Sequence, residues 1–294
     1  MGQPMAANLA RAGFAIQSYD RNGSGSARSA REAAQDADAL ITMLPDGDVV
    51  REAVLDALPA LREGAVVIDM SSCDPAGTRA LADALRAKRI DFVDAPVSGA
   101  VVGAREASLA IMVGAEPAVF EKVQPVLRAM GKEIFHVGPV GAGHAVKALN
   151  NYLGAAGTIA GFEALLVAQA FGLDPEPMLK AVNASTGHNY TTERKIPRQV
   201  LTGAFASGFK LALMTKDIGI AAGLARGLGV PAPYLEKTLQ MFREAQRALP
   251  AGADHTEIFK VLARRPRAGR RKPAPSRGAR APQSRLRRKR RRST

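Results

Sequence analysis

The stretch Gly141-Ala142-Gly143-His144-Ala145-Val146-Lys147-Ala148-Leu149-Asn150-Asn151 divides the chain into two kinds of sequence. Before it, short apolar runs alternate with amphipathic segments, at residues 14–19, 39–44, 65–69, 90–93, 109–113 and 133–136. These runs are rich in Val, Ile and Phe and short enough to be buried strands. Their alternation with helix-like stretches predicts a largely parallel sheet of Rossmann type with helices on both faces. After Gly141 the strand-like runs cease. A long helix is predicted over about 142–171, stopped by Gly172, a residue free to take the positive φ of a C-cap. Further helices are expected at about 214–227 and 233–249, and after Asp74-Pro75 and Asp174-Pro175, each an N-cap with proline at the first helical position. Asp254-His255-Thr256-Glu257 has the form of a capping box. The reading is an α/β domain at 1–140, an all-helical domain at 141–262 and a tail beyond.

A chain of 294 residues can bury two cores, and its 47% hydrophobic content is ordinary. No unbroken apolar run is long enough for a membrane span, and no secretory leader is readable, so no membrane partner is expected. Cys73 is the only cysteine; it cannot form an internal disulfide and fits a cytoplasmic protein. The net charge of +14 is unevenly placed. Fifteen of the 41 Lys/Arg lie at 264–294, where no Asp or Glu occurs, leaving 26 basic against 27 acidic residues elsewhere. The tail is made mostly of Arg, Pro, Gly, Ser and Ala and is expected to be disordered. It could bind nucleic acid by neutralising phosphates, but it has no aromatic residue for base stacking.

The opening Met1-Gly2-Gln3-Pro4-Met5 continues as a helix stopped by Gly13, and the following apolar run ends in Asp20. In a dinucleotide-binding unit the last fingerprint glycine opens the helix, and an acidic residue about 20 positions later holds the ribose hydroxyls. Gly2 and Asp20 fit those places. The strand and first two glycines that precede them in such a unit are not in this sequence, and the expectation is a true start upstream. Asp94-Ala95-Pro96-Val97-Ser98-Gly99 lies at the C-terminal end of a predicted strand, the edge where open α/β sheets bind ligands. The Ser98 hydroxyl and the backbone at Gly99 suit a carboxylate. Gly143, Lys147 and Asn151 fall at four-residue steps on one helix face, with Asn150 beside them. The glycine is read as room for a ligand. A lysine ammonium can protonate a carbonyl oxygen as hydride reaches its carbon, and neutral lysine can remove the hydroxyl proton in reverse. Burial is expected to lower its pKa.

Four segments in order resemble the β-hydroxyacid dehydrogenase family: the opening Met1–Leu9 stretch, Asp94 to Gly99, Gly141 to Asn151, and Lys216-Asp217 with Ala221, Gly229 and Pro231. The resemblance covers about 1–262. It implies an oxidoreductase moving hydride between NAD or NADP and a small 3-hydroxy acid or its semialdehyde. It gives Lys147 the catalytic role, and Ser98, Gly99 and Asn151 the substrate. Gly2, Met5, Asp20, Arg21, Leu44, Pro45, Ser72 and Lys216 are expected along the cofactor. Asp20 favours NAD, because a carboxylate repels a 2′-phosphate, whereas Arg21 could accept one. A homo-oligomer, dimer or tetramer, is implied. Ala100 and Ala107 stand where the family has glycine and are read as mild changes tuning the pocket. Four histidines without a carboxylate at ligand spacing predict no metal site, and Cys73 is expected to be inert. His144 and His188 are read as packed or surface residues, with His188 near the substrate pocket. The other reading is a weakened dehydrogenase-like protein held on nucleic acid by its tail.

Overall fold

The computed structural model describes residues 1–264, so the expectations of disorder and nucleic-acid contact for the tail fall outside the described residues. Three strands, β1 (Ala39–Thr42), β2 (Val66–Asp69) and β3 (Asp91–Asp94), pair in parallel. The sheet is nevertheless mixed. Strand β5 (Leu109–Gly114) runs antiparallel to β3 and to the two-residue β4 (Val97–Ser98), and β6 (Gly131–Gly138) is parallel to β5. The order is β1-β2-β3-β5-β4, with β6 on β5. A parallel neighbour needs a crossover of a dozen residues or more. Only Ala95-Pro96 separates β3 from β4, and β4 continues β3 along the same line against β5, at one register through Asp94–Gly114, Val97–Ile111 and Ser98–Ala110; the chain turns back only after Ser98, before β5.

Residues 14–19 do not form the predicted strand. A strand exists only with a ladder partner, and β1, at the sheet edge, pairs with β2 alone among the described residues. The segment is bonded locally instead, Ala27 N–H donating to the Ser18 carbonyl, and Phe14, Ile16 and Tyr19 stay partly exposed.

Helices cover both sheet faces. On one, α1 (Gly2–Arg11) buries Met5 and Leu9 in a core with Ile68, Val93, Leu109 and Ile111. After the single-turn α2 (Ala30–Ala33), α3 (Gly47–Ala57) and α4 (Pro75–Arg86) pack Val50, Val54, Leu81 and Leu85 against Val67 and Phe92 on the other. Helix α4 starts where the sequence indicates, Asp74 capping Gly77 N–H at 2.9 Å, and Asp46 caps Val49 N–H of α3 at 3.0 Å in the same way. Two further helices, α5 (Ala100–Arg105) and α6 (Pro117–Arg128), flank β5 in the chain.

Helix α7 (Ala142–Phe171) is the spine of the second half, and Gly172 ends it in the left-handed conformation, as read from the sequence. It packs with α9 (Leu211–Gly227) and α10 (Pro233–Ala248) around Phe162, Leu165, Ile218 and Phe242. By length and composition α7 would cross a membrane, contrary to the sequence reading that no segment qualifies. Packing against α9, α10 and the sheet accounts for its buried side, while Leu149, Leu153, Val167 and Phe171 stay exposed. A shorter α8 (Pro175–Asn183), a π-helical segment (Thr191–Val200) and α11 (Ile258–Arg264) complete the helical half. The π-helical segment was not foreseen.

Asp254 forms the expected capping box with Glu257 and also accepts from Ser207 Oγ and Gly208 N–H. The adjacent His255 is buried, with Nδ1 3.1 Å from the Phe209 carbonyl. Burial and the charge of Lys195 push the His255 pKa down to about 4. An unfolded histidine near 6.5 takes its proton first, so this residue's contribution is complete above pH 6.5, falls as the pH drops toward 4 and changes no further below. Acidification through that window should cost on the order of 2 kcal/mol by urea denaturation. His255→Gln should flatten that part of the curve; an unchanged slope would show that the imidazole does not titrate there.

Candidate active site

The site begins with Asp94, the last residue of β3, which is fully buried. Its Oδ1 accepts from Gly141 N–H at 2.7 Å and its Oδ2 from His144 N–H at 2.8 Å. A carboxylate on the sheet thus caps the first turn of α7, where the helix dipole favours negative charge. Burial pushes the Asp94 carboxyl upward, while the charge of His144 and the two N–H donors pull it back. At Gly143 a Cβ would collide with the Met112 and Asp94 backbones. The expectation that this glycine leaves room for a ligand is therefore corrected: its space is taken by the sheet.

One turn on, Lys147 is buried, and its ammonium has no hydrogen bond or ion pair among the described residues. Burial lowers its pKa, the charge of Asp217 opposes that, and the charge of Lys216 adds to it. Asn151, a further turn along, donates from Nδ2 to Asp217 Oδ2 at 2.6 Å, and accepts from Asn150 Nδ2 at 3.2 Å. Lys216 lies 3.2 Å from Asp217 Oδ1 and donates to the Ser72 carbonyl at 2.5 Å. A polar chain from Asn151 through Asp217 and Lys216 to Ser72 therefore ties the helical half to the sheet. The sequence marked Asp217 only as the neighbour of Lys216; its anchoring of Asn151 is visible only in the fold.

Leu44 and Pro45 follow β1, and Ser71 and Ser72 follow β2, at the C-terminal edge of the sheet. Leu44 N–H is spent on Ser71 Oγ at 2.9 Å, so only its carbonyl and side chain are free for a ligand. Ser98 is half-buried in β4, and Gly99, at φ 129°, turns the chain into α5. Gly2 opens α1, whose first turn has no side-chain cap and keeps N–H groups for an anion. Met5 is not placed toward a ligand: it is 2% exposed, and α1 uses it to pack on the sheet. Asp20 and Arg21 lie in an exposed loop, Asp20 accepting from Asn22 N–H and Arg21 paired with Glu52 at 3.0 Å. His188 is exposed beside Glu193, and His144 is buried, with Nδ1 2.7 Å from Thr78 Oγ1. Burial, with the charge of Asp69, pushes the Cys73 thiol far above its ordinary range, so it is no nucleophile.

The strand-end loops and the uncapped α1 turn are the parts that would hold a nicotinamide dinucleotide, which would supply hydride chemistry, and the uncommitted Lys147 ammonium would serve beside it. Residues 1–138 match the model described as the NAD binding domain of 6-phosphogluconate dehydrogenase. Residues 141–262 match that described as NAD-binding of NADP-dependent 3-hydroxyisobutyrate dehydrogenase. The chain is 38% identical to 2-(hydroxymethyl)glutarate dehydrogenase of Eubacterium barkeri, over 89% of this chain and 91% of the relative. It is 33% identical to 2-hydroxy-3-oxopropionate reductase of Escherichia coli K12, over 89% and 94%. The solved structure of Mycobacterium tuberculosis 3-hydroxyisobutyrate dehydrogenase with L-serine superposes with a TM-score of 0.85 at 33% identity, covering 89% of this chain and 95% of that one. Fold and site thus define a nicotinamide-dinucleotide oxidoreductase. The chain belongs to the β-hydroxyacid dehydrogenase family and is an NAD(P)-dependent hydroxyacid dehydrogenase.

Ala100 and Ala107 both sit in the left-handed region, at φ 55° and 52°. There a Cβ costs roughly 1–2 kcal/mol, so these alanines strain the substrate segment as well as altering its surface. Ala107→Gly should stabilise the protein by about 0.5–1 kcal/mol after the added entropy of the unfolded chain. The urea midpoint reads this, and a lower midpoint would show the position to be relaxed.

Proposed function

We propose that the enzyme interconverts a short 3-hydroxy acid and its semialdehyde, with Lys147 as the proton-transfer residue and NAD as the preferred dinucleotide. The observation that carries this reading is the buried Lys147 ammonium with its donors uncommitted, on the same helix face as Asn151. A bound nicotinamide supplies or accepts the hydride. In reduction, Lys147 Nζ gives a proton to the substrate's carbonyl oxygen; in oxidation, the neutral amine removes the hydroxyl proton. Its lowered pKa makes the neutral amine accessible nearer neutrality. Asn151, held by Asp217, orients the substrate, and Ser98 with the Gly99 backbone receives its carboxylate. Preference for NAD is supported by Asp20, and by Arg21 being engaged with Glu52 rather than free for a 2′-phosphate.

A panel of 3-hydroxyisobutyrate, glycerate, serine and 2-(hydroxymethyl)glutarate with NAD and NADP tests the substrate class. Higher kcat/KM with NADP would overturn the cofactor preference. Lys147→Ala should lower kcat by about 10²–10⁴-fold with little change in dinucleotide affinity. Near-normal turnover would reject the role. Oxidation should fall as pH drops below the Lys147 pKa, since only the neutral amine is a base.

We also propose a homo-oligomer. Helix α7 carries Leu149, Leu153, Val167 and Phe171 outward, with Leu153 67% and Phe171 82% exposed, an apolar face suited to a second copy. Light scattering should give a multiple of the 30.9 kDa chain mass, reduced in Leu153→Glu. A monomeric wild type would overturn it.

A further inference from the structure

Beneath the active-site edge, three buried side chains from distant positions converge. Asp69 ends β2, Cys73 follows it in the loop, and His144 is in the first turn of α7. Asp69 Oδ2 lies 3.2 Å from Cys73 Sγ and 3.6 Å from His144 Nε2, and the three ligand atoms are all within 4.8 Å of one another.

The surrounding hydrogen bonds fix which atoms are free. Thr78 Oγ1 donates its single hydrogen to the Asp74 carbonyl, so it can only accept from His144 Nδ1–H at 2.7 Å. In the neutral imidazole Nε2 is then the lone-pair nitrogen. That atom is buried and without a hydrogen-bond partner. On the carboxylate, Oδ1 is taken by Thr42 Oγ1 at 2.8 Å and Ser71 N–H at 3.0 Å, while Oδ2 accepts from the Cys73 thiol and faces the imidazole. In that state the unpartnered Nε2 faces a carboxylate oxygen that already accepts from the Cys73 thiol at 3.2 Å, away from water. An unpaired buried Nε2 is costly, and a cation that replaces the thiol proton and is held by all three atoms removes the cost.

We propose that Asp69 Oδ2, Cys73 Sγ and His144 Nε2 bind one Zn²⁺. Tetrahedral zinc with bonds of about 2.0–2.3 Å places its N, O and S ligands roughly 3.3–3.6 Å apart, and the two distances from Asp69 Oδ2, 3.2 Å to Cys73 Sγ and 3.6 Å to His144 Nε2, are close to that. A nitrogen, a carboxylate oxygen and a sulfur together suit zinc rather than calcium or magnesium. The partners of the outer atoms, Thr78 on Nδ1 and Thr42 with Ser71 on Oδ1, are the second shell that orients such ligands. Binding expels the Cys73 proton, one per metal, and the two anionic ligands cancel the ion's charge. The fourth position falls to water. The ion would tie the loop carrying Ser72 to the helix turn just before Lys147, a structural role independent of the proposed substrate.

Full-length protein refolded from urea with Co²⁺ in place of zinc tests this directly. One cobalt per chain, with a thiolate-to-cobalt charge-transfer band, is expected, and the band should vanish in Cys73→Ser with cobalt uptake reduced at least tenfold. Zinc should displace the cobalt and raise the wild-type melting temperature. Wild-type protein that regains its native circular dichroism with no thiolate band overturns the proposal. So does uptake that survives Cys73→Ser unchanged, which would locate the metal on surface histidines. Should Cys73→Ser fail to fold, the wild-type band and stoichiometry decide alone.

Discussion

Two hydrogen bonds from one buried carboxylate set the register of the whole molecule. Asp94 holds Gly141 and His144 N–H groups, so the spine of the helical half starts at a fixed point on the sheet. Each such charge-assisted bond contributes roughly 1.5–3 kcal/mol. The glycines on either side enforce the same closeness: at Gly114 and at Gly143 a Cβ would strike Asp94 or its neighbours. Lys147 is placed by this contact, one turn from the cap, and its position is thus a property of the sheet as much as of the helix.

A second tether closes the other end of the site. The Lys216 ammonium spans from the Ser72 carbonyl to Asp217, and Asp217 in turn fixes Asn151. Every cation and carboxylate of this group is compensated except Lys147. That asymmetry separates a structural network from the group proposed to transfer the proton. Neighbouring lysines have opposite duties, one neutralised in the scaffold and one kept short of partners by burial.

The parts of the fold that could be read in advance were those written in local chemistry. The capping residues Asp74, Asp174 and Asp254, and the terminating Gly172, mark helix ends because their bonds are made within three or four residues. Lys147 and Asn151 were legible for the same reason, since helical periodicity alone puts them on one face. Residues 14–19 misled because a strand's identity depends on a partner elsewhere in the chain, as does the direction of β5. Gly143 misled because the atoms filling its space belong to Asp94 and Met112. Asp69, Cys73 and His144 lie too far apart in sequence to form a pattern; only the sheet and α7 bring them together. Ala100 and Ala107 were noticed as departures, but that both occupy strained backbone could not be seen without the torsions.

The flush contact at Gly143 has a bearing on how such an enzyme can acquire new chemistry. Helix and sheet meet backbone to backbone there, with no side-chain layer to act as a cushion. Resizing residues in that seam cannot reposition the reactive amine gradually, because any added atom forces the two layers apart. Diversification must come instead through the rim: the turn after Ser98 and the π-helical stretch from Thr191, whose backbones already depart from regular geometry. A rigid seam with an editable border lets the rim change while the Lys147 amine stays where helix and sheet put it.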